Sequence, residues 1–494
     1  MIVLTLAEVA DLTGGRLAGG ADGAVPVTGD VVTDSRQAAP GCLFVALPGT
    51  RADGHDHAPQ ARTAGAVAVL AGRDVGGPAV LVDDPLAALG RLARGVVDRI
   101  PGLVVVGVTG SSGKTGTKDL IAAVLAGAGP TVATAGSYNN ELGLPLTALR
   151  CTVGTRFLVV EMGARMPGNI SYLCGITPPR IAVVLNVGAA HLGVFGSLDV
   201  TARTKGELVA ALPDGGVAVL NADDERVRAM PVPAGARTVR YGRPSDGPDA
   251  PEVTARDVRL DAAARPRFRL LTPSGAAEVA LALHGEHHVT NALAAAAVGL
   301  EAGLDVGRIA RSLTGATAAS RARMEVTTRP DGVTVVNDAY NANPDSMRAA
   351  LRALAAMGAG RRTWAVVGEM LETGDRAAQL HGEVGALAVR LGISRLMVVG
   401  EPAGEWVSAG AAAAGMATTD VTRVPDVEAG LAVLTPAVRP GDVVLAKASR
   451  AVGLDVLASR LLQARPDGGA AVRPPEAVVD QDVPGVVVHR EARR

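Results

Sequence analysis

Apolar and polar positions alternate in blocks along this chain, and the clearest block spans residues 104–125. The run Val104–Val108 is apolar and mostly β-branched, which predicts a buried parallel strand. A glycine-rich loop follows it, and apolar residues then recur at helical spacing between Leu120 and Leu125. This succession of strand, loop and helix predicts an α/β fold built on parallel sheets.

Further apolar runs end in polar residues that could carry chemistry. One predicted strand is followed by Glu161, the next leads into a loop with His191, and Lys205 lies on the helix after that loop. In an open parallel sheet, ligands bind outside the carboxyl ends of the strands. We therefore expect Glu161 and His191 to face one crevice together with Thr115, at the end of the glycine-rich loop.

The blocks divide the 494 residues into three domains and a tail, as expected at ~150 residues per domain. Residues 1–102 predict a small α/β domain, and residues 103–320 predict a central parallel-sheet domain. The pattern of strands and helices restarts at about residue 321, so residues 321–465 predict a second doubly wound, Rossmann-like domain. Residues 466–494 are rich in Pro, Gly, Asp and Arg, which is typical of a mobile tail.

Composition excludes several classes of function. The chain is 48% hydrophobic but only 2% aromatic, so its cores are built from Ala, Val and Leu. A net charge of −1 argues against a nucleic-acid-binding surface. No apolar run approaches the ~20 residues of a membrane span, and no basic segment of a signal peptide begins the chain. Together with three cysteines that lack metal or disulfide spacing, this predicts a cytoplasmic protein without membrane insertion.

Lysine is rare in this sequence. Four of the 48 basic residues are lysines: Lys114, Lys118, Lys205 and Lys447. Since arginine serves wherever a positive charge suffices, the lysines are enriched for tasks that arginine cannot perform, such as a compact phosphate contact or loss of a proton. We interpret Lys118, one helical turn after Lys114, as a chance survivor, whereas the other three fall in motif-like positions.

The glycine-rich loop has the chemistry of a phosphate-binding loop. Its amides and the following helix N-terminus can hold phosphate oxygens, Lys114 can reach the β- and γ-phosphates, and the Thr115 hydroxyl can ligate Mg²⁺. The general P-loop pattern has a glycine where this chain has Val108, so an ordinary glycine-rich turn before a helix is the alternative. The candidate ATP-binding residues of the loop are Thr109, Gly110, Ser111, Ser112, Gly113, Lys114, Thr115 and Gly116.

A P-loop combined with polar strand ends points to Mg²⁺-assisted phosphoryl transfer. Glu161 offers the carboxylate that Mg²⁺ prefers, and His191 is a candidate second ligand. A lysine beside metal ions is unfavourable unless it takes up CO₂ and becomes a carbamate, so Lys205 is either such a ligand or an ordinary surface lysine. Two α/β domains flanking a P-loop domain also favour a ligase, which must bring a nucleotide, an acid and an amine together.

Over residues 1–460 these motifs resemble the Mur ligase family. The resemblance implies Mg²⁺ ligands at Thr115, Glu161, His191 and a carbamylated Lys205. It implies that the catalytic residues are Lys114, Glu161, His191 and Lys205. It implies further nucleotide contacts at Asn291, Arg323 and Asp338. It also implies substrate contacts in three places: Asp34, Ser35 and Arg36 for a UDP-sugar, Asn139 and Asn140 for a peptide, and Lys447, Ser449 and Arg450 for an incoming amine.

Within the family, four runs are similar to the members that add D-alanyl-D-alanine: N-N-E-L-G-L-P-L-T, N-D-A-Y-N-A-N-P-D-S-M, G-E-M-L-E-T-G-D and L-A-K-A-S-R. The resemblance implies an ATP-dependent ligase that joins this dipeptide to UDP-N-acetylmuramoyl-tripeptide through an acyl phosphate, in peptidoglycan biosynthesis. It implies ATP and two Mg²⁺ ions as cofactors, small-molecule substrates, no nucleic acid, and a monomer. A sister ligase adding a single amino acid is one alternative, and a nucleotide-switched P-loop binding protein is another.

Overall fold

The computed structural model describes residues 1–49, 52–189 and 192–464, and three α/β units follow one another along this part of the chain. The tail predicted for residues 466–494 lies outside the described residues. Among the helices that are described, each is too short or too polar to cross a lipid bilayer. The mixed α/β architecture with parallel sheets confirms the predicted fold class.

The N-terminal unit consists of short strands covered by three helices. Its elements are β1 (Leu4–Thr5), α1 (Leu6–Thr13), β2 (Arg16–Ala18), β3 (Pro26–Val27), β4 (Val31–Val32), β5 (Leu43–Val45), α2 (Ala58–Thr63), β6 (Ala68–Ala71), β7 (Ala79–Leu81) and α3 (Pro85–Asp98). The main sheet has the order β2-β7-β6-β5-β4, in which only β2 is antiparallel. Helix α1 begins at a capping box, in which the Thr5 hydroxyl accepts from the Glu8 amide and the Glu8 carboxylate accepts from the Thr5 amide.

The central unit is a nine-stranded sheet. Its elements are β8 (Val104–Thr109), α4 (Lys114–Ala126), β9 (Thr131–Ala133), α5 (Gly143–Ala148), β10 (Phe157–Glu161), α6 (Asn169–Ile176), β11 (Ile181–Val184), α7 (Leu192–Phe195), α8 (Leu198–Ala210), β12 (Val217–Asn221), α9 (Glu225–Arg228), β13 (Arg237–Gly242), β14 (Val253–Leu260), β15 (Pro266–Thr272), β16 (Gly275–Ala280), α10 (His287–Glu301) and α11 (Val306–Gly315). The order is β16-β15-β14-β13-β12-β11-β8-β10-β9, and the strands from β14 to β9 are parallel. Strand β8 therefore lies between β10 and β11, and its loop opens where their polar ends meet.

Register and small residues determine where the central site lies. Glu161 pairs with Val108 across β10 and β8, which puts the carboxylate beside the start of the P-loop. On one face of the sheet the alanine-rich helix α10 packs closely on α4, because a Cβ at Gly299 would lie only 2.7 Å from the Val124 side chain. This contact lies near the carboxyl ends of both helices and holds α10 alongside the P-loop helix.

The C-terminal unit repeats the strand-helix pattern. Its elements are β17 (Glu325–Thr328), β18 (Thr334–Asn337), α12 (Pro344–Met357), β19 (Thr363–Gly368), α13 (Ala377–Arg390), β20 (Arg395–Val399), α14 (Ala403–Ala413), β21 (Val421–Val424), α15 (Val427–Ala437), β22 (Val443–Lys447) and α16 (Leu454–Gln463). The sheet order is β17-β18-β22-β19-β20-β21, with β17 antiparallel and the other five strands parallel. The carboxyl ends of β18 and β22 face the central unit.

Helices α13 and α14 touch backbone to backbone at glycines. A Cβ at Gly410 would lie 2.0 Å from the carbonyl oxygen of Gly382. We expect Gly410→Ala to reduce the free energy of unfolding by about 1–3 kcal/mol, because the two helices must move apart. Calorimetry should show a lower Tm, whereas Gly175→Ala, with no atom within 4 Å of its added Cβ, should leave Tm unchanged or slightly raised. Equal Tm values for the two variants would contradict the close packing.

Candidate active site

A cleft of about 1210 Å³ opens between the carboxyl strand ends of the central unit and the facing edge of the C-terminal unit. It brings together most of the residues predicted to act on a nucleotide or a metal. Those that line it are Ser111, Ser112, Gly113, Lys114, Thr115, Gly116, Asn139, Asn140, Glu161, Lys205, Asn291, Arg323, Asp338 and Lys447. The predicted ligand His191 lies outside the described residues.

Other predicted residues lie outside this lining. Thr109 is buried beneath the loop and its hydroxyl donates to the Met162 carbonyl at 2.8 Å. The carbonyl of Gly110 accepts from Lys114 Nζ at 2.8 Å. Ser449 is buried in the C-terminal unit, where its hydroxyl accepts from the Leu371 amide at 2.9 Å. The Thr109 and Ser449 hydroxyls therefore bind backbone groups of neighbouring segments around the cleft.

The segment Asp34-Ser35-Arg36 forms a tight turn in the N-terminal unit. Asp34 and Arg36 are joined at 2.7 Å, and this contact lowers the pKa of the Asp34 carboxyl. Ser35 is buried and donates to the Gln60 side chain at 2.9 Å. The local geometry is therefore a turn stabilised by an exposed ion pair, and none of its three residues lines the cleft.

The P-loop is shaped by a residue from the neighbouring strand. The amides of Ser111 and Ser112 donate to Asn186 Oδ1 at 3.0 and 2.9 Å, and Asn186 Nδ2 donates back to the Ser112 carbonyl. Gly113, the N-cap residue of helix α4, has a φ of +83°, a conformation that favours glycine. Sequence reasoning missed this role for Asn186, although a polar residue just beyond a buried strand was the available signal.

Two oxygen groups meet at the mouth of the loop. Thr115 Oγ1 donates to Glu161 Oε2 at 2.7 Å, and Asn139 Nδ2 donates to the other carboxylate oxygen, also at 2.7 Å. Ser137 Oγ lies 3.1 Å from Thr115 Oγ1. A hydroxyl and a carboxylate side by side fit Mg²⁺, which binds oxygen through one or two side chains and fills its other positions with phosphate oxygens or water.

Lys205 is a buried amine facing the same cleft. It lies on α8 with only 4% of its surface exposed, and it donates no hydrogen bond to the residues that the structure describes. Burial, aided by the nearby charge of Lys114, lowers the pKa of Lys205 to about 7. Burial also lowers the pKa of Lys114, while Glu161 opposes that shift. Much of Lys205 is therefore uncharged near neutral pH.

Another buried lysine, Lys447, holds the C-terminal wall of the cleft. Lys447 Nζ donates to Asp338 Oδ2 at 2.6 Å, to the Asp338 carbonyl at 3.3 Å and to the Asn341 carbonyl at 2.9 Å. The other oxygen of Asp338 accepts from the Met324 amide at 3.1 Å. All three donor positions of the ammonium are used, so Lys447 fixes the loop after β18 onto the segment that enters the C-terminal unit.

Two guanidinium groups pack against the same aromatic ring at the cleft. The Arg323 guanidinium lies 4.2 Å from the centre of the Tyr340 ring and also donates to Ser137 Oγ. Arg450, which is exposed, lies 5.3 Å from the same ring. Such cation–π contacts orient the planar groups. Sequence reasoning did not assign Tyr340, although an aromatic residue just after a strand is conspicuous in a chain with 2% aromatics.

The start of α10 forms the floor beside the P-loop. Asn291 is buried, and its Nδ2 lies 3.4 Å from His288 Nδ1. A Cβ at Gly113 would lie 3.0 Å from Asn291 Oδ1, so the asparagine directly abuts the loop. Burial lowers the pKa of His287 to about 4 and that of His288 well below its usual value. Both imidazoles are therefore neutral at physiological pH.

Comparison with known proteins gives a uniform result. Three family models match: the Mur ligase family catalytic domain at residues 30–96, the Mur ligase middle domain at residues 108–299, and the Mur ligase glutamate ligase domain at residues 322–450. The chain is 50% identical to the UDP-N-acetylmuramoyl-tripeptide–D-alanyl-D-alanine ligase of Mycobacterium tuberculosis, across 96% of this chain and 100% of the relative.

Two solved structures are similar throughout. MurF from Acinetobacter baumannii has a TM-score of 0.82 at 29% identity, covering 93% of this chain and 99% of that one. MurF ligase from Thermotoga maritima in complex with ADP has a TM-score of 0.75 at 32% identity, covering 88% and 97%. One residue in two is identical to a full-length relative, and the three family domains match in order along the chain. This protein therefore belongs to the Mur ligase family.

Proposed function

We propose that this chain is the ATP-dependent ligase that joins D-alanyl-D-alanine to UDP-N-acetylmuramoyl-tripeptide and so forms the pentapeptide precursor of peptidoglycan. The relative with that printed activity is 50% identical over nearly the whole chain. The observation that carries the chemistry is a P-loop lysine beside the Thr115–Glu161 pair, in a cleft closed by a second α/β unit. We further propose that it works in the cytoplasm as a monomer.

The reaction follows from the groups in the cleft. Lys114 and the loop amides hold the phosphates of ATP, with Asn291, Arg323 and Asp338 around the rest of the nucleotide. The substrate carboxylate attacks the γ-phosphorus, which gives an acyl phosphate and releases ADP. The dipeptide amine attacks the acyl carbon, loses a proton and expels inorganic phosphate. Water must be kept from the acyl phosphate throughout.

Contacts across the cleft support this exclusion of water. The Ser112 hydroxyl donates to Asn343 Oδ1 at 3.1 Å, which joins the P-loop to the start of α12. The Gly193 amide donates to the Glu372 carbonyl at 3.2 Å at a second point. The two units therefore touch at the P-loop and at one further point, which supports closure of the cleft during ligation.

We propose that Thr115, Glu161 and a carbamylated Lys205 hold Mg²⁺ at two sites, with His191 as a further ligand. Mg²⁺ held there would neutralise charge between the γ-phosphate and the substrate carboxylate. The buried, unpartnered amine of Lys205 supports carbamylation, because only a neutral amine reacts with CO₂ and because a carbamate removes a cation from beside Lys114.

The remaining substrate contacts are proposed from their positions. Asn139 touches Glu161 and would place the tripeptide carboxylate near the γ-phosphate, with Asn140 next to it. The Asp34-Ser35-Arg36 turn would hold the UDP-sugar in the N-terminal unit. The exposed Arg450 would contact the dipeptide, and the buried Lys447 and Ser449 would hold the backbone of that binding region in place.

Carbamylation should depend on pH in a defined direction. The folded-state pKa of Lys205 is lowered to about 7, so the reactive neutral amine accumulates as pH rises through that value. At a fixed partial pressure of ¹³CO₂, we expect the carbamate signal in ¹³C NMR to increase by more than about tenfold from about pH 6 to about pH 8, because the neutral amine becomes roughly tenfold more abundant and carbamate formation itself releases a proton. A signal that persists in Lys205→Ala, or no signal above pH 7, would contradict the assignment.

The function is tested by phosphate release from Mg-ATP with each substrate added alone and with both together. We expect release only with both, and a pentapeptide product by mass spectrometry. Release with the UDP substrate and a single amino acid would move the assignment to a sister ligase. Release from ATP alone, unchanged by either substrate, would leave only a nucleotide-hydrolysing protein.

A further inference from the structure

We propose that Lys118, Asp119 and Ser320 position the nucleotide-contacting Arg323 by fixing the linker between the central and C-terminal units onto the P-loop helix. The linker is defined as residues 316–324, between α11 and β17. The inference rests on the proposed function, since it assigns a role in nucleotide binding to residues outside the predicted set. It also overturns the interpretation of Lys118 as a chance survivor.

Lys118 is one of the most completely buried side chains of the protein. It is 2% exposed, and its ammonium donates to Asp119 Oδ1 at 2.5 Å and to the Thr134 carbonyl at 2.6 Å. Thr134 follows β9, and its hydroxyl accepts from the Glu161 amide at 3.3 Å. The lysine therefore ties the P-loop helix to the strand ends that carry Glu161. Burying a charge is costly unless its partners are fixed, so Asp119 is held in one position.

The second oxygen of Asp119 reaches the linker. Ser320 Oγ donates to Asp119 Oδ2 at 2.8 Å, and both side chains are largely shielded from solvent. This is a charge-assisted hydrogen bond between residues far apart in sequence. The linker is thus attached to α4 three residues before Arg323.

Arg323 lies in a segment that local preferences alone would not hold. Its neighbours Ala322 and Met324 have φ values of +53° and +49°, which L side chains rarely adopt. On the far side, Arg323 contacts Ser137 and the Tyr340 ring. Ser320 anchors the linker to α4 on the N-terminal side of Arg323, so the guanidinium of Arg323 is held in one orientation toward the cleft. Lys118, Asp119 and Ser320 are positioning residues in this scheme.

Ser320→Ala removes the connection with the smallest change in volume. We expect KM for ATP to rise by about fivefold with kcat changed less than twofold, because ground-state and transition-state binding of the nucleotide weaken together. In an Arg323→Ala background the same substitution should change KM by less than about twofold, because the group that it positions is gone. Asp119→Asn, which keeps the shape but not the charge, should show the same pattern.

Ser394→Ala is the matched control. Its hydroxyl also makes partly buried hydrogen-bond contacts, with the amide and the hydroxyl of Thr363. These contacts lie in the C-terminal unit, away from the cleft. It should lower Tm without changing KM for ATP. An unchanged KM in Ser320→Ala, or a fivefold rise that persists without Arg323, would overturn the proposal. Titration calorimetry with ADP measures nucleotide affinity in each variant and does not depend on the ligation reaction. If the proposed reaction is wrong, the unsubstituted protein will fail to form product, and this result is independent of the calorimetry.

Discussion

Replacing Lys114 by alanine is expected to abolish turnover, with kcat/KM for ATP reduced by at least about 10²–10³-fold. The ammonium lies at the start of α4, in the cleft, and donates to the Gly110 carbonyl. Phosphoryl transfer offers the protein little covalent chemistry, so positioning and charge stabilisation account for most of the rate. Removing the lysine of the loop therefore removes both the positioning of the phosphates and the stabilisation of their charge.

Single-turnover phosphate release with saturating substrates measures this loss directly. Lys114→Arg is a useful companion, because the planar guanidinium retains the charge but not the compact shape, and we expect it to remain severely impaired. Circular dichroism and Tm should confirm that the variants are folded. Activity like that of the unsubstituted protein in Lys114→Ala would show that the loop does not bind phosphate in catalysis.

Lys205→Ala is expected to cause a comparably large loss that short carboxylic acids partly restore. The substitution leaves a space where the carbamate would stand, and acetate or formate could place a carboxylate in that space. The buried position, with 4% of the side chain exposed, means that the acid must enter the cleft, so rescue should saturate with acid concentration.

The same acids should not restore Lys114→Ala, because that variant lacks a cation rather than an anion. This comparison separates chemical rescue from a general effect of salt. Full activity of Lys205→Ala without any added acid would mean that the lysine is structural. Loss of activity accompanied by a large fall in Tm would favour the same conclusion.

The sequence predicts the fold class and the P-loop because both depend on local patterns. Strand β8 and helix α4 follow from apolar spacing, and the loop between them follows from its glycines and Lys-Thr. The strand ends could be expected to share one edge, and the register of Glu161 with Val108 confirms that expectation for the carboxylate.

What the sequence did not predict are contacts between distant segments. Asn186 bonds to the P-loop across 75 residues, and Ser320 bonds to Asp119 across 201 residues. Neither pair shares a motif or a periodicity, so only the packed structure brings them together. Lys118 illustrates the difference. The sequence pattern shows only a lysine on a helix, whereas the structure shows a buried side chain that is hydrogen-bonded to Asp119.

The distribution of lysine has a practical consequence for chemical labelling. All four lysine side chains lie in the cleft or beneath it, so the outer surface offers almost no side-chain amine. Succinimidyl esters and other acylating reagents should therefore modify the side chains of this protein slowly. Acylation should occur first at Lys114, because the other three lysine side chains are buried, and its rate would report whether the cleft is filled.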